Sequence, residues 1–368
     1  MKRESIYIIT LVLSIACLQL KAQGLKDVLG KSFLVGTALS DRQIMSNDSL
    51  ITLTITKHFN SIVAENCMKP KSVQPEENKF NWKKADHFVQ FGLEHGMTII
   101  GHCLVWHQQT GNWMFTDAKG KPASKDLLKK RMRKHIMAVV SRYKGKIKGW
   151  DVVNEAINDD GTYRDSPWYR ILGDEYIELA FRYAHEADPD AELYYNDYSL
   201  ANPVKRRAMC RLVRRLQKTG CRIDAVGMQS HNGLEFPNME EYEASIDSFA
   251  ACGVKVMITE LDLNVLPTPK EFRGAEISQN FTYNEQMDPY RDGLPAEVEV
   301  AINKRWRQLF RIYRRHSHQI DRVCVWGVSD SDSWMNDWPI KGRTAYPLLF
   351  DRSYRAKPVI NQIIELFQ

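Results

Sequence analysis

The residues that decide the fold lie between positions 98 and 153, where TIIGHC (98–103) is followed by KDLLKKRMRKHIMAVVSRY (125–143) and then by KGWDVV (148–153). The first and third segments are short and mostly apolar, as buried strands are. The segment between them repeats apolar residues every three or four positions, as an amphipathic helix does. A strand, a helix and a second strand make up the unit from which parallel sheets are built. This stretch therefore predicts an α/β protein.

The same alternation continues along the rest of the chain. Helical patterns also occur at 84–94, 174–187 and 204–219. Strand-like runs occur at eight places, which are 33–38, 60–65, 98–103, 148–153, 192–196, 223–228, 254–261 and 323–328. Eight strand–helix units favour a closed barrel, and no Gly-rich phosphate-binding turn of the kind typical of open sheets follows the first run at Gly36. The predicted fold is a single (β/α)8 TIM barrel.

One connection is much longer than the others. Residues 266–294 separate the seventh strand from a helix that begins near Ala296, and they include several Pro, Gly, Asn and Gln. A loop of this length in a compact domain is usually functional or mobile. On a barrel it would rise from the carboxyl face, so we predict an extended loop after strand 7, beside the active site.

The first 23 residues differ in character from the rest of the chain. Lys2 and Arg3 precede a mostly apolar run at 6–20, which ends at Lys21-Ala22-Gln23. This pattern is typical of a secretory signal peptide, and the run is shorter than the roughly 20 residues of a membrane span. We predict a signal peptide at 1–23, a barrel domain at 24–368 and a secreted protein, periplasmic or extracellular. Cys17 leaves open a surface lipoprotein with a lipid anchor.

The overall composition narrows the class of protein. With 43% hydrophobic and 26% charged residues, the chain is an ordinary globular one, which excludes disordered and fibrous classes. Basic residues cluster at 129–134 and 205–207, and we interpret both as exposed helix faces rather than as a nucleic-acid surface. No cysteines have metal-site spacing, and Cys210 with Cys221 is a candidate disulfide. We expect a monomer that needs no metal or cofactor.

The active site of such a barrel forms at the carboxyl ends of its strands. Polar or aromatic residues end seven of the eight predicted strands, and these are Glu65-Asn66, His102, Asn154-Glu155, Asn196-Asp197-Tyr198, Gln229-Ser230-His231, Glu260 and Trp326. Two glutamates among several tryptophans suit a sugar, because sugars present apolar ring faces as well as hydroxyl groups. Neither an H-E-x-x-H nor a G-x-S-x-G motif occurs in this set.

Seven segments closely resemble glycoside hydrolase family 10, the barrel xylanases. They are ENCMKPKSVQPEENKFNW (65–82), GHCLVWHQQ (101–109), WDVVNEA (150–156), YYNDYS (194–199), GMQSH (227–231), ITELD (258–262) and WGVSDSDSWM (326–335). Their order and spacing match the family from about Gly36 to Pro358. The resemblance implies a retaining endo-1,4-β-xylanase that hydrolyses internal β-1,4-xylosidic bonds in xylan and xylo-oligosaccharides.

The resemblance also implies the two catalytic residues, Glu155 as acid/base and Glu260 as nucleophile. Retaining glycosidases need two carboxyl groups about 5 to 5.5 Å apart, and the ends of strands four and seven face each other across a barrel mouth. A negative charge on Glu260 would raise the pKa of Glu155 and so keep it protonated. Asp262 is expected to orient His231, which in turn would contact Glu260.

The substrate-binding residues follow from the same resemblance. The sugar being cleaved would be bound by Asn154, Gln229, His102, Trp106 and His231. The next sugar on the non-reducing side would be held by Glu65, Asn66, Lys69 and Gln109. Tyr198 would stack on the leaving-group side. Trp326 and Trp334 would wall the cleft and leave no room for a hydroxymethyl arm, which favours pentose chains over hexose chains.

The loop at 266–294 is longer than a minimal family member needs. It contains Phe281, Tyr283, Tyr290 and Arg291, and we predict that it lines the leaving-group side and affects which decorated xylans fit. The alternative is a surface loop that packs on itself.

Two other functions have to be weighed. One is a barrel β-1,4-glucanase or mannanase, which would carry its glutamates on the same two strands. The other is a catalytically inactive protein that binds xylan, and the presence of both glutamates together with His102 and His231 argues against it.

Overall fold

The computed structural model describes residues 23–272, 274 and 276–368. Within them the strands are β1 (Leu34–Leu39), β2 (Ser61–Ala64), β3 (Thr98–Trp106), β4 (Gly149–Asn154), β5 (Glu192–Asp197), β6 (Ala225–Met228), β7 (His231–Gly233), β8 (Lys255–Asn264) and β9 (Ile320–Val325). The predicted signal peptide lies outside the described residues, apart from Gln23.

Helices alternate with these strands. They are α1 (Leu25–Leu29), α2 (Asp41–Ile44), α3 (Ser49–His58), α4 (Pro70–Val73), α5 (Lys83–Glu94), α6 (Lys125–Arg142), α7 (Pro167–Leu172), α8 (Glu175–Ala187), α9 (Pro203–Lys218), α10 (Met239–Ala250), α11 (Ala296–Arg315) and α12 (Val359–Phe367). Among the helices formed by the described residues, none combines the length and the apolar character needed to cross a bilayer.

The strands close into a ring. Gly36 of β1 lies opposite Ser61 of β2 on one side and opposite Cys324 of β9 on the other, and both pairings are parallel. Around the ring the order is β1 to β6, then β8 and β9. The short strand β7 continues the position of β6 and pairs with the end of β8, His231 opposite Asp262. Eight strand positions thus form a closed parallel barrel, and the predicted TIM-barrel fold is confirmed.

The interior of the barrel is solid. One cluster of buried side chains, contributed by seven strands and by the residue after β9, fills it; its members are Ala38, Val63, Ile100, Tyr194, Ala225, Met257, Cys324 and Trp326. Space inside is tight, because a Cβ atom added at Gly149 of β4 would overlap the hydroxyl of Tyr194, which belongs to this cluster. Close packing of this kind leaves the carboxyl ends of the strands as the place where a substrate can enter.

The helices cover the outside of the ring, and their sequence patterns predicted them closely. The side chain of Ser124 accepts a hydrogen bond from the backbone N–H of Leu127 and so starts α6. The strands agree less closely with their predicted bounds: β9 covers 320–325 instead of 323–328, and β3 and β8 each end three residues later than predicted. Gly327 has a φ of 127°, which ends the extended backbone shortly after Val325.

The candidate disulfide is wrong. All six cysteines among the described residues are free and buried. The thiol of Cys210, within α9, points to the carbonyl oxygen of Ser248 in α10. The thiol of Cys221, beyond the end of α9, points instead to the carbonyl oxygen of Glu178 in α8. The two thiols therefore face different neighbouring helices, α10 and α8, which sequence spacing alone does not reveal.

Candidate active site

A cleft with a volume of about 910 Å³ opens at the carboxyl ends of the strands. Every predicted catalytic and substrate-binding residue lines it, and these are Glu65, Asn66, Lys69, His102, Trp106, Gln109, Asn154, Glu155, Tyr198, Gln229, His231, Glu260, Trp326 and Trp334. Asp262 lies behind His231. The fold thus brings the whole predicted set together.

Glu155 follows the last residue of β4 and turns its backbone into the cleft. Its φ is 58°, in the left-handed region that costs a non-glycine residue energy. Hydrogen bonds on both sides hold this conformation: its N–H donates to the carbonyl oxygen of Asn196 at 2.9 Å, and its carbonyl oxygen accepts from Nε of Arg164 at 2.9 Å. A strained backbone held in this way presents the carboxyl group in one orientation.

The carboxyl group of Glu155 is buried. Oε1 accepts a hydrogen bond from Nε2 of Gln229 at 2.9 Å, and Oε2 accepts one from Nε1 of Trp106 at 2.9 Å. Burial raises the pKa of Glu155, and the negative charges of Asp197 and Glu260 raise it further, although the two hydrogen bonds oppose this. The sequence had suggested Glu260 as the cause, but burial is the larger one. The group is therefore suited to carrying a proton.

Glu260 lies on β8 in different surroundings. Oε1 accepts a hydrogen bond from Nδ2 of Asn196 at 2.7 Å, and Oε2 lies 3.2 Å from Nε2 of His231. Burial alone would raise the pKa of Glu260, but the hydrogen bond from His231 and the electrostatic influence of the neighbouring His102 and His231 outweigh it and lower the pKa. Glu260 is therefore suited to acting as a carboxylate.

His231 connects Glu260 to a second acid. Its Nδ1 lies 3.0 Å from the carboxylate of Asp262, which also accepts a hydrogen bond from Nε1 of Trp334 at 2.9 Å. Burial lowers the pKa of His231, but the charge and hydrogen bond of Asp262 more than compensate, and the pKa rises to about 10. At neutral pH the imidazole is thus a cation that donates from both nitrogens, one to each carboxylate.

Amide side chains join the two glutamates. Nδ2 of Asn196 lies 2.7 Å from Oε1 of Glu260 and 2.9 Å from Oδ1 of Asn154. Nδ2 of Asn154 lies 3.2 Å from Oε1 of Glu155. The orientation of Asn196 is fixed in turn by Thr259, whose hydroxyl donates to Oδ1 at 2.6 Å. Sequence reasoning placed Asn196 at a strand end but gave it no role, although it stands within the YYNDYS motif.

The wall at the β2 and β3 side holds the residues expected to bind the next sugar. Nζ of Lys69 donates to Oδ1 of Asn66 at 3.1 Å and lies 5.0 Å from the ring centre of Trp106. Burial raises the pKa of Glu65, against the charge of Lys69. At the base of the cleft, Nδ1 of His102 lies 2.9 Å from the buried carboxylate of Asp151. Lys69 is itself buried, which favours a binding role over a solvated one.

Tyr198 stands on the opposite wall between two cations that the sequence did not single out. Its hydroxyl accepts a hydrogen bond from Arg164 at 2.6 Å. Nζ of Lys205 lies 3.5 Å from the centre of its ring and 2.9 Å from the buried carboxylate of Asp197. The prediction that 205–207 forms an exposed face is therefore wrong for Lys205. Its side chain is fully buried between Tyr198 and Asp197. A single basic run in a helix gives no signal of such a partner.

The loop at 266–294 does reach the cleft, but through other residues than predicted. Those that line the cleft are Thr268, Phe272, Gly274 and Ile277. The predicted side chains have other contacts: Phe281 pairs with the backbone at Ile340, Tyr283 donates to Asp288, and Arg291 pairs with Glu285. Tyr290 packs on a separate cluster with Leu266. The loop thus borders the cleft through these four residues, while the predicted aromatic and basic side chains pack within the loop or against the rest of the protein. Its effect on decorated xylans stays a prediction.

Nothing in the described part of the chain groups three or more His, Cys, Asp or Glu side chains in a way that could hold a metal ion. The cleft contains two buried carboxyl groups, those of Glu155 and Glu260, whose pKa values are shifted in opposite directions. Pairs of this kind divide the roles of acid and carboxylate. A parallel barrel with this pair inside an aromatic-walled cleft defines a glycoside hydrolase.

The family follows from direct comparison. The model of glycosyl hydrolase family 10 matches residues 24–366, and the chain belongs to this family. Endo-1,4-β-xylanase A of Xylanibacter ruminicola is 55% identical over 358 residues, which cover 97% of this chain and 97% of that protein.

Solved structures agree with this assignment. A family 10 endoxylanase retrieved from a sugarcane soil metagenome superposes with a TM-score of 0.90 at 42% identity, over 93% of this chain and 100% of that one. The intracellular xylanase of Thermoanaerobacterium saccharolyticum, solved as a mutant with xylotriose, gives 0.81 at 36% identity, over 94% and 99%.

Proposed function

We propose that the protein is an endo-1,4-β-xylanase that cleaves internal bonds of xylan with retention of anomeric configuration, with Glu155 as acid/base and Glu260 as nucleophile. The observation that carries the assignment is the contrast between the two glutamates. Burial raises the pKa of Glu155, whereas His231 and His102 lower the pKa of Glu260. Relatives named as xylanases, one of them solved with xylotriose, support xylan as the substrate.

In the first step the carboxylate of Glu260 attacks the anomeric carbon, and protonated Glu155 gives its proton to the departing oxygen. The product is a covalent glycosyl ester on Glu260 and a free shortened chain. His231 keeps Glu260 ionised before the attack, since its cationic imidazole stabilises the carboxylate.

In the second step Glu155, now a carboxylate, removes a proton from water, and the water oxygen attacks the anomeric carbon. The ester bond breaks and Glu260 leaves as a carboxylate. Esterification removes the charge of Glu260, which otherwise raises the pKa of Glu155. The pKa of Glu155 is therefore lower in the intermediate. The group stays deprotonated after it has given up its proton, and it can then act as the base in the second step.

The remaining residues of the cleft bind and orient the chain. Asn154 lies between the two carboxyl groups, where we assign it to the 2-hydroxyl of the sugar being cleaved. Hydrogen bonds to that hydroxyl strengthen in the transition state. Trp334, which lines the cleft and is fixed by its bond to Asp262, fits the proposed exclusion of a hexose hydroxymethyl arm.

The direct test is hydrolysis of linear β-1,4-xylan by the wild-type protein and by Glu260→Ala. We expect the wild type to release xylo-oligosaccharides. In the variant the rate of hydrolysis should fall by at least about 10²- to 10⁴-fold, which is the range associated with acid–base catalysis alone. A comparison of aryl xylobioside with aryl cellobioside separates a xylanase from a glucanase. Binding of xylan without cleavage of any β-linked polysaccharide would instead favour a binding protein.

We also infer that the protein is exported. Lys2, Arg3 and the apolar run at 6–20 support a signal peptide, and Cys17 supports a lipid-anchored alternative. The mass of the protein recovered after expression in an exporting host decides between them. Cleavage near residue 23 predicts a mature chain without added lipid, whereas lipoprotein processing would leave a lipid-modified Cys17 at the amino terminus.

A further inference from the structure

We propose that Phe236 is a sugar-binding platform at the far leaving-group end of the cleft, where its ring stacks on a xylose residue beyond the one released directly by bond cleavage. The inference rests on the proposed function and extends it. It makes Phe236 a determinant of how the enzyme uses long substrates as opposed to short ones.

The exposure of Phe236 is the first observation. The side chain is 52% exposed, and among the exposed large apolar side chains of the described residues it is the one that lines the cleft. Leu53 and Val300, which are more exposed, lie outside it. Leaving an aromatic ring in water forgoes the gain of burying it, so a ring exposed inside a binding cleft has surface to offer a ligand.

The position of Phe236 in the barrel decides to which end of the cleft it belongs. In the closed barrel of eight strand positions, β6 stands four places from β2, on the opposite side. Glu65, which follows β2, belongs to the end assigned to the non-reducing sugar. Phe236 follows β6 and its continuation β7, so it belongs to the leaving-group end.

The cleft itself reaches that far. Tyr198 and the segment Ser199-Leu200-Ala201-Asn202-Pro203, which follow β5 next to β6 in the barrel, line the cleft together with Phe236. Tyr198 is the residue assigned to the first leaving-group sugar, and Phe236 lines the same continuous cleft. A chain that passes Tyr198 therefore has a further apolar surface available to it.

The platform is held rigidly. The carbonyl oxygen of Phe236 accepts a hydrogen bond from the N–H of Gly233 at 2.9 Å. Buried Arg305 donates from Nε to the carbonyl oxygen of Gly233 at 3.1 Å and from its terminal nitrogen to that of Pro237 at 2.6 Å. The ring rests on the backbone of Gly233, where any Cβ atom would collide with it. A ring fixed in advance loses little conformational entropy when it binds.

A pair of substrates tests this role. Xylohexaose extends beyond the first leaving-group sugar, whereas an aryl xylobioside places only its aryl group there. In Phe236→Ala we expect kcat/KM for xylohexaose to fall about 10-fold, as loss of one buried aromatic contact implies. For the aryl xylobioside it should stay within about 2-fold of the wild type. Phe236→Tyr, which keeps the ring, should retain most of the xylohexaose rate.

Leu53→Ala is the matched control, because it removes an exposed apolar side chain outside the cleft and should change neither rate. An unchanged xylohexaose rate in Phe236→Ala, or an equal fall on both substrates, would overturn the inference. A wild-type protein inactive on both substrates would overturn the proposed function and this inference with it, so the two failures are distinguishable.

Discussion

His231 connects Glu260 to Asp262 through its two ring nitrogens: Nε2 lies 3.2 Å from Oε2 of Glu260, and Nδ1 lies 3.0 Å from the Asp262 carboxylate. The outer carboxylate raises the pKa of the imidazole to about 10, and the resulting cation lowers the pKa of the inner carboxylate. The charge of Asp262 is thus used, through His231, to keep the proposed nucleophile ionised.

Replacing His231 should move the acidic limb of the pH profile. In His231→Ala, Glu260 loses the hydrogen bond and the positive charge that lower its pKa. Because Glu260 acts as a carboxylate, activity is lost as pH falls through its pKa, so the acidic limb of kcat/KM should shift to higher pH. His316→Ala is the control, since His316 pairs with Glu243 away from the cleft. An unshifted acidic limb in His231→Ala would contradict the assigned role.

Removing the acid/base should affect substrates according to their leaving groups. In Glu155→Ala we expect kcat/KM on xylan to fall by about 10²- to 10⁴-fold, because a sugar oxygen needs a proton to leave. On dinitrophenyl xylobioside the fall in kcat/KM should be much smaller, since dinitrophenolate leaves unprotonated. Equal losses on the two substrates would contradict the role of Glu155. Glu76→Ala, which removes an exposed carboxylate, should change neither rate.

The buried pair of Lys205 and Asp197 should matter for stability. Their charged atoms lie 2.9 Å apart and both side chains are fully buried. Lys205→Met leaves Asp197 as an unpaired buried charge, which costs about 3–5 kcal/mol of unfolding free energy. Urea unfolding measures this loss, and the double variant with Asp197→Asn should recover part of it. Lys84→Met breaks an exposed pair with Asp41 and should cost no more than about 1 kcal/mol.

The loop at 266–294 should influence products from branched xylans. Phe272 and Ile277 line the cleft, and the backbone at Gly274 approaches Tyr198. Replacing the loop with a short Gly-Ser linker should therefore change the products released from arabinoxylan, as chromatography would reveal. Tyr283→Ser alters the same loop outside the cleft and should leave the products unchanged. Identical products from the shortened and intact enzymes would favour a loop that only packs on the protein.

Local patterns predicted the barrel well because the spacing of apolar residues within each segment indicates whether that segment forms a strand or a helix. The periodicity of 125–143 predicts α6, and apolar runs predict the strands, whichever partners they meet. Because strand ends of a barrel share one face, the same patterns also placed Glu155 and Glu260 in one site. What ended β9 early was a backbone angle at Gly327, which composition does not show.

Contacts between distant segments were the part that the sequence could not supply. Asn196 joins the two glutamates, and Lys205 is buried against Asp197, because the barrel brings β4, β5, β8 and α9 together. The candidate disulfide between Cys210 and Cys221 does not form for the same reason, since the direction of the Cys210 thiol depends on how α9 packs. Likewise, which loop residues face the cleft depends on the surface that the loop covers.

Trapping of the glycosyl-enzyme intermediate tests the central claim most directly. A dinitrophenyl xylobioside with fluorine at the 2-position should esterify the enzyme and hydrolyse slowly, because fluorine removes the 2-hydroxyl contact that stabilises the transition state. Peptide mass spectrometry should then show one added fluoroxylobiosyl group on Glu260. A label on Glu155 instead, or hydrolysis that yields the inverted anomer without any covalent adduct, would contradict the account.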